Sequence, residues 1–296
     1  MNHNAIVSAL LLLTLRVAAA EGPVRINAQS TKPMKDICEQ ISNLFHWRIT
    51  YEDAPVFDMR EVVQERAPSG VPWLRMRAVP LSFDVPPMLD ESVAEYRRKV
   101  LDAAMGAYGR SGNRAAFRYS DDGDYIHVVP SVVAGPDGRP QTFKSILDVP
   151  VTIKVDRYTI RGLVEAVLAQ VGKRAGVTVS LGTIPNSFKQ IMLTEEAENE
   201  LAREFLMRVF ERQNGARYMA GVPPERLFWR LNYTADGPQY FFNVGIVPTE
   251  LDAGAVSRKS RQVDPPAESP DSTGDSQKKA GFINKAGTSP DQTKHK

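Results

Sequence analysis

The chain has 296 residues, with 37 Lys or Arg and 35 Asp or Glu, so its formal net charge at pH 7 is +2. Charges also nearly balance between residues 21 and 250, which leaves none of the basic excess that marks nucleic-acid-binding proteins. The single cysteine, Cys38, cannot form an internal disulfide, and this excludes a disulfide-stapled scaffold. Composition therefore predicts no nucleic-acid partner.

Residues 1–20 have the pattern of a secretory signal peptide. Ala5 to Leu15 is an apolar run, shorter than the roughly 20 residues that span a bilayer. The small residues Ala18-Ala19-Ala20 follow it, so cleavage is expected after Ala20. A buried N-terminal helix is the alternative. We predict a periplasmic or secreted bacterial envelope protein with no transmembrane segment after signal removal.

The stretch 21–130 is predicted to be a first α+β domain. Ser92 and Glu95 form a capping-box pattern that starts its second helix, and residues 54–79 form an irregular insert. The other apolar patterns alternate as in strands or recur at helical spacing. The predicted elements are strand Val24–Ala28, helix Pro33–Phe45, strand Trp47–Tyr51, strand Leu81–Val85, a helix from Ser92 to about Tyr108, and the hairpin Phe117–Val129.

Residues 131–148 are predicted to be a linker, and 149–250 a second α+β domain. Thr159 is the expected cap of its first helix, and Gly176 the expected end. The remaining elements are strand Val149–Val155, strand Val177–Leu181, a short strand Gln190–Leu193, a helix from Leu201 to Asn214-Gly215, and a hairpin over Trp229–Val244. Residues 251–296 are poor in large apolar side chains, and we predict that they are disordered.

The two predicted domains follow the same order of elements. Each ends in an aromatic strand, a turn built on Asp and Gly, a second strand and a proline; these are Phe117 to Pro130 in the first and Trp229 to Pro248 in the second. Repetition of this kind predicts two copies of one β-α-β-β-α-β unit, with the last strand doubled into a hairpin. The fold class is therefore α+β, with two helices on one face of a small sheet in each unit.

This arrangement resembles the short N-terminal (STN) domain found in secretins and TonB-dependent transducers. The residues that carry the resemblance are Val24 to Ala28, Met34 to Phe45 and Trp47-Arg48-Ile49-Thr50-Tyr51-Glu52-Asp53 in the first copy, and Val151 to Val155, Ile160 to Arg174 and Val177 to Leu181 in the second. The chain departs from the family in the insert after Ala54 and in having no barrel or secretin domain behind it. The resemblance implies a periplasmic protein–protein docking module without catalytic residues.

Metal or nucleophile chemistry has few candidates. His46 and His127 are the only histidines between residues 21 and 250, and we expect structural roles for both. Asp121-Asp122-Gly123-Asp124 offers carboxylates for calcium, but their crowding favours a hairpin turn. The acidic run Glu195 to Glu200 is predicted to precede a helix and to favour its dipole. We therefore predict no metal, no cofactor and no enzyme activity.

Two groups of residues are the candidate binding sites. Tyr51, Glu52 and Asp53 form a polar patch at a strand end, which could bind a partner or assist acid–base work, or simply turn into solvent. The insert contains Trp73, Arg75 and Arg77, and Trp and Arg are frequent interface hot spots. The alternative for Trp73 is a buried side chain that pins the insert to the domain.

The leading hypothesis is a non-catalytic docking module whose partner is another envelope protein. One alternative is a secreted hydrolase that uses Glu52 and Asp53, which needs a deep pocket between the domains with a second acid nearby. Another is a wall- or polysaccharide-binding module, which predicts Tyr and Trp side chains on one solvent-facing sheet surface, whereas a core role predicts them buried.

Overall fold

The computed structural model describes residues 24–55, 62–66, 70, 72–113, 115–135, 137–234 and 239–247. The predicted signal peptide, the predicted disordered tail, the Asp236-Gly237 turn and Pro248 lie outside these residues. Within them the protein is α+β, as predicted, with four α-helices and mixed sheets.

The first half of the chain contains two of these helices. In chain order the elements are β1 (Arg25–Ser30), α1 (Pro33–Phe45), β2 (Arg48–Glu52), β3 (Val62–Arg66), β4 (Pro72–Met76), β5 (Val79–Asp84), α2 (Val93–Arg110), β6 (Ala116–Asp121), β7 (Tyr125–Ala134) and β8 (Pro140–Thr142). The predicted bounds of α1 are confirmed, and the helix ends at His46, which adopts a left-handed conformation. The predicted irregular insert contains the antiparallel hairpin β3–β4.

The second half contains the other two helices and a short 3₁₀ helix at Asn186–Lys189. Its other elements are β9 (Pro150–Thr159), α3 (Ile160–Ala175), β10 (Thr178–Leu181), β11 (Met192–Leu201), α4 (Ala202–Met219), β12 (Leu227–Thr234) and β13 (Gln239–Ile246). The predicted caps are confirmed, because the Gly162 N–H donates to Thr159 Oγ1 at 3.0 Å and Gly176 is left-handed at the end of α3.

The predicted role of the acidic run Glu195 to Glu200 is wrong. The run lies inside β11, with irregular register against β9, and no side chain caps the start of α4. The Glu195 side chain is only 1% exposed and forms ion pairs with Arg208 and Arg212 of α4. Glu195 and Glu200 therefore pair with arginines along α4, and neither caps its start.

The predicted end of α4 at Asn214-Gly215 is also wrong, since the helix continues to Met219. The Asn214 side chain instead accepts a hydrogen bond from the Glu225 N–H at 2.9 Å. The Asn214 amide therefore accepts a hydrogen bond from the loop that leads to β12, and the helix backbone continues past it.

The strands do not form one small sheet in each half, which corrects that part of the prediction. The main sheet has seven strands in the order β10-β13-β12-β2-β7-β6, with β8 added to β7, and the pairs β1–β5 and β9–β11 stand apart from it. The two halves meet where β12 lies parallel to β2. The predicted linker 131–148 contains the end of β7, all of β8 and the buried residues Ser145, Ile146 and Leu147.

Two clusters of buried side chains fill the spaces between sheet and helices. One gathers around α1 and α2 and includes Cys38, which is 3% exposed, so its predicted core role is confirmed. Burial raises the pKa of the Cys38 thiol to about 12. The other cluster gathers around α3 and α4, with Trp229 in aromatic contact with Tyr125 and Phe210.

A pair of glycine substitutions tests how closely α3 packs on the strand that follows it. A Cβ at Gly172 would lie 2.8 Å from the Val177 carbonyl oxygen, so we expect Gly172→Ala to lower the free energy of unfolding by about 1–3 kcal/mol. Gly109, in α2, has no atom within 4 Å of that position, and we expect Gly109→Ala to raise the free energy of unfolding by up to about 1 kcal/mol. Urea unfolding measures the free energy of unfolding of both variants. Equal changes in the two would contradict the close approach of α3 to Val177.

Candidate functional site

The predicted patch Tyr51-Glu52-Asp53 lies at the junction of the two halves of the main sheet. All three residues are buried, with Glu52 and Asp53 each 2% exposed, so the alternative of a strand end that turns into solvent is wrong. β2 is a central strand of the main sheet, between β7 and β12, and its parallel pairing with β12 sets Arg230 opposite Tyr51 and Leu231 opposite Glu52.

Asp53 fastens β2 to β12 and to the start of α1. Its Oδ2 accepts a hydrogen bond from the Tyr233 N–H at 2.7 Å and forms an ion pair with Lys32 Nζ. Its own N–H donates to the Leu231 carbonyl at 2.8 Å, and Lys32 Nζ also donates to the Tyr233 carbonyl at 2.7 Å. A buried carboxylate is tolerated here because a cation and an N–H donor both face it.

Glu52 is bound by a different segment, just before β9. Its Oε2 accepts a hydrogen bond from Ser145 Oγ at 2.5 Å, and its Oε1 accepts one from the Ile146 N–H at 3.1 Å. Burial raises the pKa of the Glu52 carboxyl to about 7, because desolvation disfavours the charged form more than these hydrogen bonds and the Arg203 charge favour it.

A polar network extends from Glu52 to α4. Arg203 of α4 donates to Ser145 Oγ at 2.7 Å and to Asp148 Oδ1 at 3.0 Å, which holds the segment 145–148 in place. His127 lies mid-strand in β7, with its Nδ1 2.7 Å from Thr50 Oγ1 and its Nε2 3.3 Å from an Asp122 oxygen. Burial lowers the pKa of His127 to about 4, so the ring is neutral at pH 7.

A cavity of about 360 Å³ opens beside Glu52. Pro55, Phe143, Val177 and Tyr240 give it a largely apolar lining, and Ser145 belongs both to the lining and to the Glu52 hydrogen bond. Thr142 and Lys144 also line the cavity and are exposed to solvent. The size and the mixture of apolar walls with a few polar groups suit a small ligand or the side chain of a partner.

The second predicted group, Trp73, Arg75 and Arg77, lies on β4 and just after it. Among the described strands, β4 pairs only with β3, and this hairpin carries Trp73 and Arg75. The side chains of Trp73 and Arg75 lie outside the described part of the chain, so the two alternatives for Trp73 stay predictions. Arg77 follows β4 and is exposed.

The sequence does not predict Lys32, Ser145 and Arg203 as partners of Asp53 and Glu52, and it does not predict the cavity. Ser145 lies in the predicted linker, although the neighbouring apolar pair Ile146-Leu147 is a signal of burial. Lys32 and Arg203 carry no such signal, because a single basic residue near a helix start is common and its partner is distant in sequence.

The turn interpretation of Asp121-Asp122-Gly123-Asp124 is confirmed. Asp121 accepts from the Gly123 N–H at 2.9 Å, Asp122 accepts from the Tyr125 N–H at 2.8 Å, and Gly123 is left-handed. Across the described residues, no group of three or more His, Cys, Asp or Glu side chains is arranged to hold a metal ion.

Comparison of the chain with models of protein families, with curated proteins and with solved structures returned no match. Within the described part of the chain, none of the helices combines the length and the apolar character needed to cross a membrane. The functional argument therefore depends on the geometry of the protein itself.

Two ion pairs near the β2–β12 junction, Lys32 with Asp53 and Glu39 of α1 with Arg230 of β12, should differ in their contribution to stability. Asp53→Ala removes the acceptor of the buried Tyr233 N–H and the ion-pair partner of Lys32, and we expect a loss of about 2–3 kcal/mol. Glu39 pairs with Arg230 at 2.8 Å but is 48% exposed, so Glu39→Ala should cost about 1 kcal/mol or less. Similar losses for both, measured by urea unfolding, would contradict the role given to Asp53.

The raised pKa of Glu52 predicts how stability depends on pH. The folded protein binds a proton more tightly at Glu52 than the unfolded chain does, so this contribution is fully present below pH 4.5 and is lost as pH rises through about 7. The loss is of the order of 3 kcal/mol, at about 1.4 kcal/mol per pKa unit. Glu52→Gln removes the titrating carboxyl. The difference in free energy of unfolding between the wild type and Glu52→Gln should therefore change between pH 4.5 and about pH 7.

His127 has the opposite pH dependence. Its ring is buried in the neutral form, so its contribution to the free energy of unfolding is lost as pH falls from 6.5 through about 4. This contribution is common to the wild type and Glu52→Gln, and it cancels in their difference. A difference that stays constant from below pH 4.5 to above pH 7 would show that Glu52 titrates normally.

Proposed function

We propose that the protein is a non-catalytic docking module of the bacterial cell envelope, built from two STN-like repeats, whose partner is another envelope protein. Export through the signal peptide and a disordered tail after residue 250 belong to the same proposal. The observation that carries it is that β10 stands at the edge of the main sheet, paired among the described strands with β13 alone, next to a cavity of about 360 Å³.

The strand pairing supports the proposed repeat. In the first half β1 pairs antiparallel with β5 and β2 lies parallel to β7; in the second half β9 pairs antiparallel with β11 and β10 lies parallel to β13. Each half ends in a hairpin, β6–β7 or β12–β13, and the helices that precede the hairpins both have 18 residues. The same order of elements with the same pairing is expected if one unit is present twice.

The hydrolase alternative is weakened by the surroundings of the two carboxylates. Ser145 and the Ile146 backbone occupy the Glu52 oxygens at 2.5 and 3.1 Å. Lys32 and the Tyr233 N–H occupy Asp53 Oδ2. A general acid or base must reach the reacting group of a substrate, and both carboxylates are 2% exposed.

The polysaccharide alternative is weakened by the placement of the aromatic residues. Trp47 and Trp229 are buried at 7% and 1% exposure, and Tyr51, Tyr125 and Tyr240 are buried as well. Tyr218, at 74% exposure, is the single tyrosine or tryptophan among the strongly exposed apolar residues of the described chain. A sugar-binding face needs several exposed rings on one sheet surface.

The edge of the main sheet at β10 is the docking surface that we favour. Among the described strands β10 pairs only with β13, so its outer edge is open to a further strand. Val177, which directly precedes β10, lines the cavity. A partner strand laid along β10 would form backbone hydrogen bonds and could place one apolar side chain in the cavity.

Crosslinking in intact cells of the native host tests this surface. A photoreactive residue at the exposed position Thr178, at the start of β10, should capture an envelope protein, whereas the same residue at the exposed Thr194 of β11 should not. Thr142→Trp fills the cavity at its exposed rim and should weaken the Thr178 adduct about tenfold, because the partner side chain loses its pocket.

The matched control is Thr194→Trp, which adds the same ring on a strand that does not line the cavity. Equal adducts from positions 178 and 194, adducts with this protein alone, or no effect of Thr142→Trp would contradict the proposal. Thermal unfolding of each variant separates a lost partner from a lost fold.

A further inference from the structure

The start of β10 and the cavity lie side by side at the proposed docking surface. Val177, which directly precedes β10, lines the cavity, and so does Ala175 at the end of α3. A strand laid antiparallel along β10 runs toward this end of β10. The carboxyl end of such a strand therefore reaches the cavity, whereas a parallel strand would bring its amino end there.

The outer edge of β10 has backbone groups that such a strand can bind. The Gly182 N–H, just after β10, donates to the Phe242 carbonyl of β13 at 2.9 Å. Alternate residues of a strand direct their N–H and C=O groups to the same side, so those of Val179 and Leu181 face away from β13. Among the described strands, none pairs with this edge. An added strand can therefore form ladder hydrogen bonds along it.

A lysine without a partner stands at the cavity. Lys144 lines the cavity and is exposed, and its ammonium forms no hydrogen bond or ion pair with any residue that the structure describes. Lys173 and Arg174 directly precede the lining residue Ala175 and are likewise exposed and unpaired within the described chain. Their two unit charges exceed the roughly half-unit negative charge of a helix end. The surroundings of the cavity therefore carry an excess of positive charge.

The acidic side chains that adjoin the cavity wall are bound by other groups. Among the described residues that line the cavity, none is acidic. Glu52 accepts a hydrogen bond from Ser145 Oγ at 2.5 Å, and Asp148 forms an ion pair with Arg203 at 3.0 Å. Neither carboxylate forms an ion pair with Lys144. The Lys144 ammonium is thus available to an anion that comes from outside the protein.

We propose that the cavity and Lys144 bind the carboxyl terminus of a partner protein, which adds antiparallel to β10 and ends in a large apolar residue. The last side chain enters the cavity between walls such as Phe143 and Tyr240, and the free α-carboxylate binds Lys144. An internal strand has no carboxylate at this point, and an amino terminus would add a positive charge to a positive surface. This partner chemistry depends on the proposed docking surface at β10 and makes it more specific.

Peptide display against the full chain tests the need for a free carboxyl terminus. One library carries short random peptides at the carboxyl end of a carrier protein, and the other carries the same peptides between two carrier segments. We expect binders from the first library alone, with a large apolar last residue. Polar last residues, equal enrichment from both libraries, or no binders from the first library would overturn the proposal.

Calorimetry with synthetic peptides from the selection tests Lys144. Amidation of the carboxyl terminus should weaken binding about tenfold or more, because a charge-assisted hydrogen bond is lost. Lys144→Gln should weaken binding of the free peptide by a similar factor but leave the amidated peptide unchanged, and Lys144→Arg should keep most of the affinity. Lys154→Gln, on an exposed lysine of β9, is the matched control and should bind as the wild type does.

Equal affinities of the free and the amidated peptide, or equal losses in Lys144→Gln and Lys154→Gln, would contradict the carboxylate site. A Thr178 adduct in cells without binding of the free peptides would support docking at β10 and overturn the carboxylate site alone. Binding of the free peptides without any adduct in cells would support the carboxylate site and contradict the envelope partner. Thermal unfolding confirms that each variant is folded.

Discussion

The parallel pairing of β2 with β12 is the contact on which the rest of the structure depends. It joins strands that are about 180 residues apart in sequence, and it makes one sheet from the two halves. Asp53 and Lys32 hold this pair at its carboxyl end by bonds to the Tyr233 backbone. Closing so long a loop costs conformational entropy, and the hydrogen bonds of Asp53 and of the paired strands help to offset that cost.

The position of β2 in the sheet also explains why the polar residues at its end are bonded within the protein. β2 lies between β12 and β7 in the middle of the sheet, and the side chains at its end are buried, so each must find partners within the protein. Asp53 finds them in Lys32 and β12, and Glu52 finds them in Ser145 and Ile146. The segment that binds Glu52 then becomes one wall of the cavity.

Local signals predicted local structure well. The helix Pro33–Phe45, the cap at Thr159, the capping box at Ser92 and the two hairpins follow from neighbours in sequence, and all are confirmed. Two local predictions were wrong because a tertiary contact overrode them. Glu195 pairs with two arginines of α4 and does not cap the helix. The Asn214 side chain accepts a hydrogen bond from the loop before β12, and the helix does not end there.

The sequence by itself determined the α+β class, most element positions and the burial of Cys38, because periodicity and caps are properties of adjacent residues. It also singled out Tyr51, Glu52 and Asp53. Only the tertiary structure decided that these residues are buried and that Lys32, Ser145 and Arg203 complete their surroundings. The physical reason is that strand order and pairing between distant segments depend on backbone hydrogen bonds, which leave no pattern in the side chains.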